Sequence, residues 1–184
     1  ANEVIKSGEI LREIFPDHRV LTFAYPGISR LYNQFGYDRV YAEIRALVEE
    51  NYVAGRGFMS SGYDEIGNIA WDYTQCAAMT DSSINTILAN LDKAGESGKF
   101  YVYLAHGVED GPNHNITGEN FELICQKVAG LVEDGTVWNT HYEDAALYLR
   151  EVECATLNIT GDENEIIASL TDTLNDDIYN YPLS

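Results

Sequence analysis

Of the four histidines, His106 alone ends an apolar run. Tyr101-Val102-Tyr103-Leu104-Ala105-His106-Gly107 is aromatic and aliphatic up to that histidine. Such a run reads as a strand buried on both faces. Parallel α/β folds build their sites at the carboxyl ends of strands. His106 is therefore the candidate for acid–base chemistry. The alternative is a histidine that bonds a backbone carbonyl. His114 lies in the polar loop just beyond and could line the same cleft or simply face water. His18 precedes a strand at its amino end, and His141 falls in the first turn of a helix, so neither is placed for chemistry.

Other catalytic signatures are missing from the sequence. No histidine pair has a zinc spacing, and no Gly-x-Ser-x-Gly elbow occurs. Ser60-Ser61-Gly62 is not one, and Gly55-Arg56-Gly57-Phe58 carries no phosphate-loop pattern. Arg56 stands at an expected strand end in a chain with only 11 basic residues. It could hold a carboxylate bidentately or form an ordinary surface ion pair. Cys76, Cys125 and Cys154 have no metal or redox spacing and read as mostly buried thiols. Asn115-Ile116-Thr117 and Asn158-Ile159-Thr160 match the glycosylation pattern, which is common by chance.

The elements that would position these residues alternate. A helix over 2–14 ends before Pro16, and Arg19–Ala24 reads as a buried strand closed by Tyr25-Pro26-Gly27. An amphipathic helix over 38–50 follows, then a strand at Tyr52–Ala54. Residues 57–79 are irregular, and a loop of that length is usually functional. Asp81 is expected to cap a helix over 82–94, which leads to the 100–106 strand. Thr117 opens a helix to about 134, closed by Gly135. Val137–Asn139 is expected as a strand. Thr140 and Glu143 form a capping box for a helix to about 151. This rhythm predicts a parallel α/β sheet with right-handed crossovers over residues 1–152. Residues 153–184 change character: strands at 155–160, 165–170 and 178–183 predict a small antiparallel appendage.

Composition limits the partners. Thirty acidic against 11 basic residues give a net charge of −19. That disfavours nucleic acid and anionic membranes, and a neutral substrate such as a glycan suits it. No apolar run reaches the ~18 residues of a membrane span. The first residues, Ala1-Asn2-Glu3-Val4, do not read as a signal peptide.

Two strand ends together resemble a family. Thr22-Phe23-Ala24-Tyr25-Pro26-Gly27 resembles the third motif of the polysaccharide deacetylases (the NodB homology domain, carbohydrate esterase family four). Leu104-Ala105-His106-Gly107 resembles the fifth, Leu-x-His, and Arg56 resembles the arginine of the fourth. The spacing and the downstream pattern through residue 152 also fit. The resemblance implies a partial (β/α) barrel that removes acetyl groups from polysaccharide such as acetylated xylan. It implies His106 and Arg56 as catalytic residues. Tyr25, Pro26 and Gly27 would lie at the oxyanion, and Leu104, Trp71 and Trp138 would wall the acetyl pocket. A secreted or extracytoplasmic location is implied as well.

The family uses a divalent metal held by an Asp and two His. Its first two motifs, which supply those ligands, are absent, as if the chain began after the metal-binding half. No metal ligand is therefore assigned and the cofactor is open. The only metal cluster the sequence offers is His106, His114 and one of Asp64, Asp72 or Asp110. Half a barrel leaves an open sheet edge, so a homo-oligomer is expected. Two further readings stand beside the esterase: an inactive or glycan-binding remnant, and a serine esterase using Ser60 or Ser61 with His106.

Overall fold

The computed structural model of the chain describes residues 2–26, 37–57, 62–109 and 115–182. Gly27, Ser60, Ser61, Asp110, His114 and Leu183 lie outside the described residues. The chain divides into two compact units, Ala1–Thr140 and His141–Ser184. The last helix therefore groups with the carboxyl-terminal hairpin, where the sequence reading placed the boundary after residue 152.

Helix α1 (Asn2–Ile14) begins the first unit. Phe15 N still donates to Leu11 O, and Pro16 has no N–H with which to continue. The helix packs through its first half. Tyr52 Oη donates to Val4 O at 2.7 Å, and the Arg12 guanidinium lies 5.8 Å from the Tyr52 ring centre. Leu11 and Ile14, further along the helix, are exposed.

Strand β1 (Thr22–Ala24) is shorter than expected. Val20 has φ +47°, a left-handed conformation costly for a β-branched residue, and it breaks the extended run. Helix α2 (Tyr37–Asn51) follows. Tyr52 N still donates to Val48 O, which delays strand β2 to Ala54–Arg56. β1 and β2 are parallel, with Phe23 level with Gly55 and Ala24 with Arg56.

The expected irregular stretch holds a short arm, β3 (Tyr63–Glu65), and the segment 74–78, whose last two residues are β4 (Ala77–Ala78). Arg56 bridges Thr74 in parallel: Thr74 N donates to Gly55 O at 2.7 Å and Gly57 N to Thr74 O at 2.9 Å. The expected 100–106 strand is two pieces. β5 (Lys99–Tyr101) pairs antiparallel with β3, and β6 (Tyr103–Leu104) pairs parallel with β4. Four parallel segments thus neighbour one another in chain order: β1, β2, 74–78 and β6. The ladders are mixed α/β and do not close into a barrel among the described residues.

Helix α3 (Ile84–Ser97) follows a 3-10 turn at Asp81–Ser83. The 3-10 turn is capped by Thr80, whose hydroxyl accepts from Ser83 N, and not by Asp81, while Ser83 at the N-cap of α3 makes no side-chain capping bond. Helix α4 (Gly118–Glu133) is capped by Thr117 as expected. Gly135 adopts φ +71° just beyond it. α3 and α4 pack around buried Ile87, Leu91, Ile116 and Ile124. The strand expected at Val137–Asn139 does not form. Thr136 N and Val137 N both donate to Leu131 O, so this backbone finishes α4 instead.

The second unit opens with α5 (Tyr142–Cys154). Its cap position is His141, whose side chain makes no capping bond, so the expected Thr140 box does not form. β7 (Thr156–Gly161) and β8 (Ile166–Thr171) form an antiparallel hairpin. The third strand expected at 178–183 is absent among the described residues. Ile178 N and Tyr179 N are spent on Asn175 O in a turn, and Tyr181 N donates to the Glu151 carboxylate at 2.7 Å. Of the three thiols only Cys76 is buried; Cys125 and Cys154 are exposed on their helices, against expectation.

Candidate active site at the carboxyl ends of the parallel strands

Arg56 closes β2, and its Nη1 donates to Gly57 O at 2.9 Å. The same nitrogen lies 4.0 Å from Cys76 Sγ, and that thiol donates to Gly57 O at 3.2 Å. Cys76 is fully buried and Arg56 half-buried. The guanidinium carries five N–H donors, and its hydrogen bonds among the described residues all run through Nη1. Its other edge is the chemically useful one: a planar fork suited to a carboxylate or a polarised carbonyl oxygen.

His106 stands two residues beyond β6 and is exposed. The loop that carries it is anchored on both sides. Asn115 N donates to Gly107 O, and Glu109 N donates to Ile116 O. The Glu109 carboxylate accepts from Gly118 N at 2.7 Å, at the start of α4. The Asp81 carboxylate accepts from Thr117 N, the Thr117 hydroxyl and the Asn120 amide. Asp81, expected to cap α3, thus ties the end of the 74–79 segment to the entry of α4.

The register sets the two candidates at different heights. Arg56 is level with Thr74, whereas Leu104 is level with Ala78. The step from Arg56 to Leu104 is four residues of strand, about 13 Å, across two ladder spacings of about 10 Å in all, and His106 lies two residues beyond Leu104. The Arg56 arm recovers part of that step by reaching towards Cys76. Arg56 and His106 therefore flank the same stepped edge without forming one hydrogen-bonded group.

The other residues singled out by resemblance do not join them. Tyr25 is 1% exposed. Its N–H donates to Arg56 O, and its hydroxyl donates to Asp72 O at 2.8 Å. It is a core residue with both donors used, not part of an oxyanion site. Pro26 is exposed beyond β1 and has no N–H to offer an anion. Leu104 is half-buried within β6. Trp71 precedes the 74–78 segment, with its carbonyl accepting from Gly55 N and its ring 6.0 Å from Phe100. That places it towards the amino ends of the strands. Trp138 is 51% exposed in the stretch after α4.

Two acidic side chains have structural duties the sequence did not signal. Asp72 is clasped by Arg45 on α2, and the carboxylate beside it raises the arginine's pKa further. Asp64 on β3 is buried and accepts from Gln75 N at 2.8 Å. Burial raises its pKa, with the Gln75 N–H opposing. Among the described residues no three His, Cys, Asp or Glu side chains gather where a metal ion could sit, so no step through a metal is derived.

Comparison with known proteins returns no match: no family model, no curated protein and no solved structure matches this chain.

Proposed function

We propose that the chain is a carbohydrate-esterase-like hydrolase of the polysaccharide deacetylase type, acting on acetylated polysaccharide. The observation that carries the reading is His106, exposed two residues past a parallel strand, in a ladder whose four segments follow chain order. Sequential parallel order is how a (β/α) barrel is wound, and the partial barrel is part of this proposal. A neutral glycan suits a surface with net charge −19.

In this reading water attacks the acetyl carbonyl and His106 takes its proton. Arg56, at a different height on the same edge, does not reach that carbonyl and offers its remaining N–H donors to the glycan alongside. The tetrahedral intermediate then collapses: the bond between acyl carbon and sugar oxygen breaks, His106 returns the proton to the sugar oxygen, and acetate leaves.

The test is acetate release from acetylated xylan by the purified chain, with and without a chelator, beside His106→Ala. His106 is exposed, so the variant keeps the wild-type melting temperature. Activity falls about 100-fold or more, the usual worth of a positioned acid–base group. Activity in the wild type that His106→Ala retains removes His106 from the chemistry.

The stepped register between Arg56 and His106 favours a second reading, an inactive or glycan-binding remnant. No acetate release in any arm, together with retention on an acetylated xylan column, selects it.

A further inference from the structure

The hairpin of the second unit pairs in register from Thr156–Thr171 to Gly161–Ile166. Side chains alternate across the pleat. Leu157, Ile159, Ile166, Ala168 and Leu170 therefore share one face. The opposite face is polar apart from Ile167. The apolar face is open: Leu157 is 60% exposed, Ile159 64%, Ile166 77% and Leu170 51%. A two-stranded hairpin that covers nothing is marginal in water, and exposed contiguous apolar surface marks an interaction site.

We propose that this face packs against the same face of a second copy of the chain. Its side-chain sizes are self-complementary. Take a two-fold axis running along the strands, with the sheets about 10 Å apart. It lays β7 of one copy over β8 of the other. Ile159 then falls over Ala168, Ile166 over the side-chain-free Gly161, and Leu157 over Leu170. Large meets small in two rows of three, the isologous match a two-fold dimer requires. Covering both copies removes on the order of 1,000 Å² from water, the lower bound for a specific interface. The association is accordingly weak, in the micromolar range or above.

Neither strand carries a charge, whereas the turn holds Asp162, Glu163 and Glu165. The same axis brings the two acidic turns to one end, where they repel. Salt screens that repulsion, so this dimer tightens as ionic strength rises.

The experiment is sedimentation equilibrium of the chain in 50 mM and 500 mM NaCl, with a reductant because Cys125 and Cys154 are exposed. The expected result is a concentration-dependent dimer, tighter at 500 mM. Ile159→Lys weakens it about tenfold or more, and Ile167→Lys on the opposite face leaves it unchanged. Far-UV circular dichroism checks each variant. If Ile159→Lys loses the hairpin, Ile166→Thr, which keeps a β-branched side chain, takes its place. A chain that stays monomeric at both salts overturns the proposal and assigns the face to another cover. So does a dimer that Ile167→Lys disrupts as strongly as Ile159→Lys.

Discussion

Arg45 clasps Asp72 with two guanidinium nitrogens, Nη2 at 2.8 Å from Oδ1 and Nε on Oδ2. The pair joins helix α2 to the turn that feeds the third parallel segment. The backbone of the same aspartate accepts the Tyr25 hydroxyl, so one residue ties β1, α2 and the 71–74 turn together. Around it Tyr25, Tyr41 and Tyr73 stack and cross at 5.1–6.2 Å. Three of the 13 tyrosines thus pack against one another around this clasp.

The pair is partly open to solvent, which limits its worth, but its two-pronged geometry is the strong form. A double-mutant cycle of Arg45→Ala and Asp72→Ala is expected to give a coupling of about 1 kcal/mol, read by urea unfolding. Tyr25→Phe, which deletes the bond to Asp72 O, is expected to cost about 1 kcal/mol. A coupling near zero would make the clasp incidental.

Gly55 sits where three elements converge. A Cβ there would lie 2.5 Å from Asp72 O and 2.8 Å from Val48 Cγ1. The first contact is backbone, held by the clasp, and cannot swing away. Gly55→Ala is therefore expected to destabilise by about 2 kcal/mol or more, measured as a lower urea midpoint at unchanged m-value. Gly130→Ala is the matched control, because a Cβ there meets nothing within 4 Å.

Tyr103 buries its hydroxyl between β6 and α3; no side chain among the described residues meets good hydrogen-bond geometry with it, and the Asn90 amide lies near enough only for a weak interaction. Burial pushes its pKa up to about 12; Tyr101 adds to the shift and the Asn90 side chain opposes it. Tyr103→Phe removes a buried polar atom without opening a cavity, and a gain of about 1 kcal/mol is expected at pH 8. The pH dependence has a definite sign. The folded chain keeps this proton while the unfolded chain loses it, so the group's contribution is constant below pH 10 and falls away between pH 10 and 12. The melting temperatures of variant and wild type should diverge further in that window and run parallel below it.

Much of the secondary structure was legible because local signals carried it. Pro16 ends α1, Thr117 caps α4, and the alternation of 156–161 with 166–171 gives the hairpin. Expectations of strands failed where a carbonyl a few residues back claimed the backbone in a turn. Leu131 O captured the residues expected as a strand at 137–139, and Asn175 O those expected at 178–183. Asp81 looked like a cap from its neighbours but binds residues 36 and 39 positions away. The same limit applies to the candidate site. His106 at a strand end could be read from its run of apolar neighbours. The burial of Tyr25, the meeting of Arg56 with Cys76 and the clasp of Asp72 depend on register, which composition does not encode.

The chain order of the four parallel segments also bears on how the molecule is made. Each segment docks on the one synthesised just before it, so every closure joins chain already present. Loop-closure entropy is met in small steps, and folding can proceed from the amino end as the chain emerges during synthesis. The ladder that orders the strand ends is in that sense also a schedule: β1 and β2 can be paired before His106 has been translated.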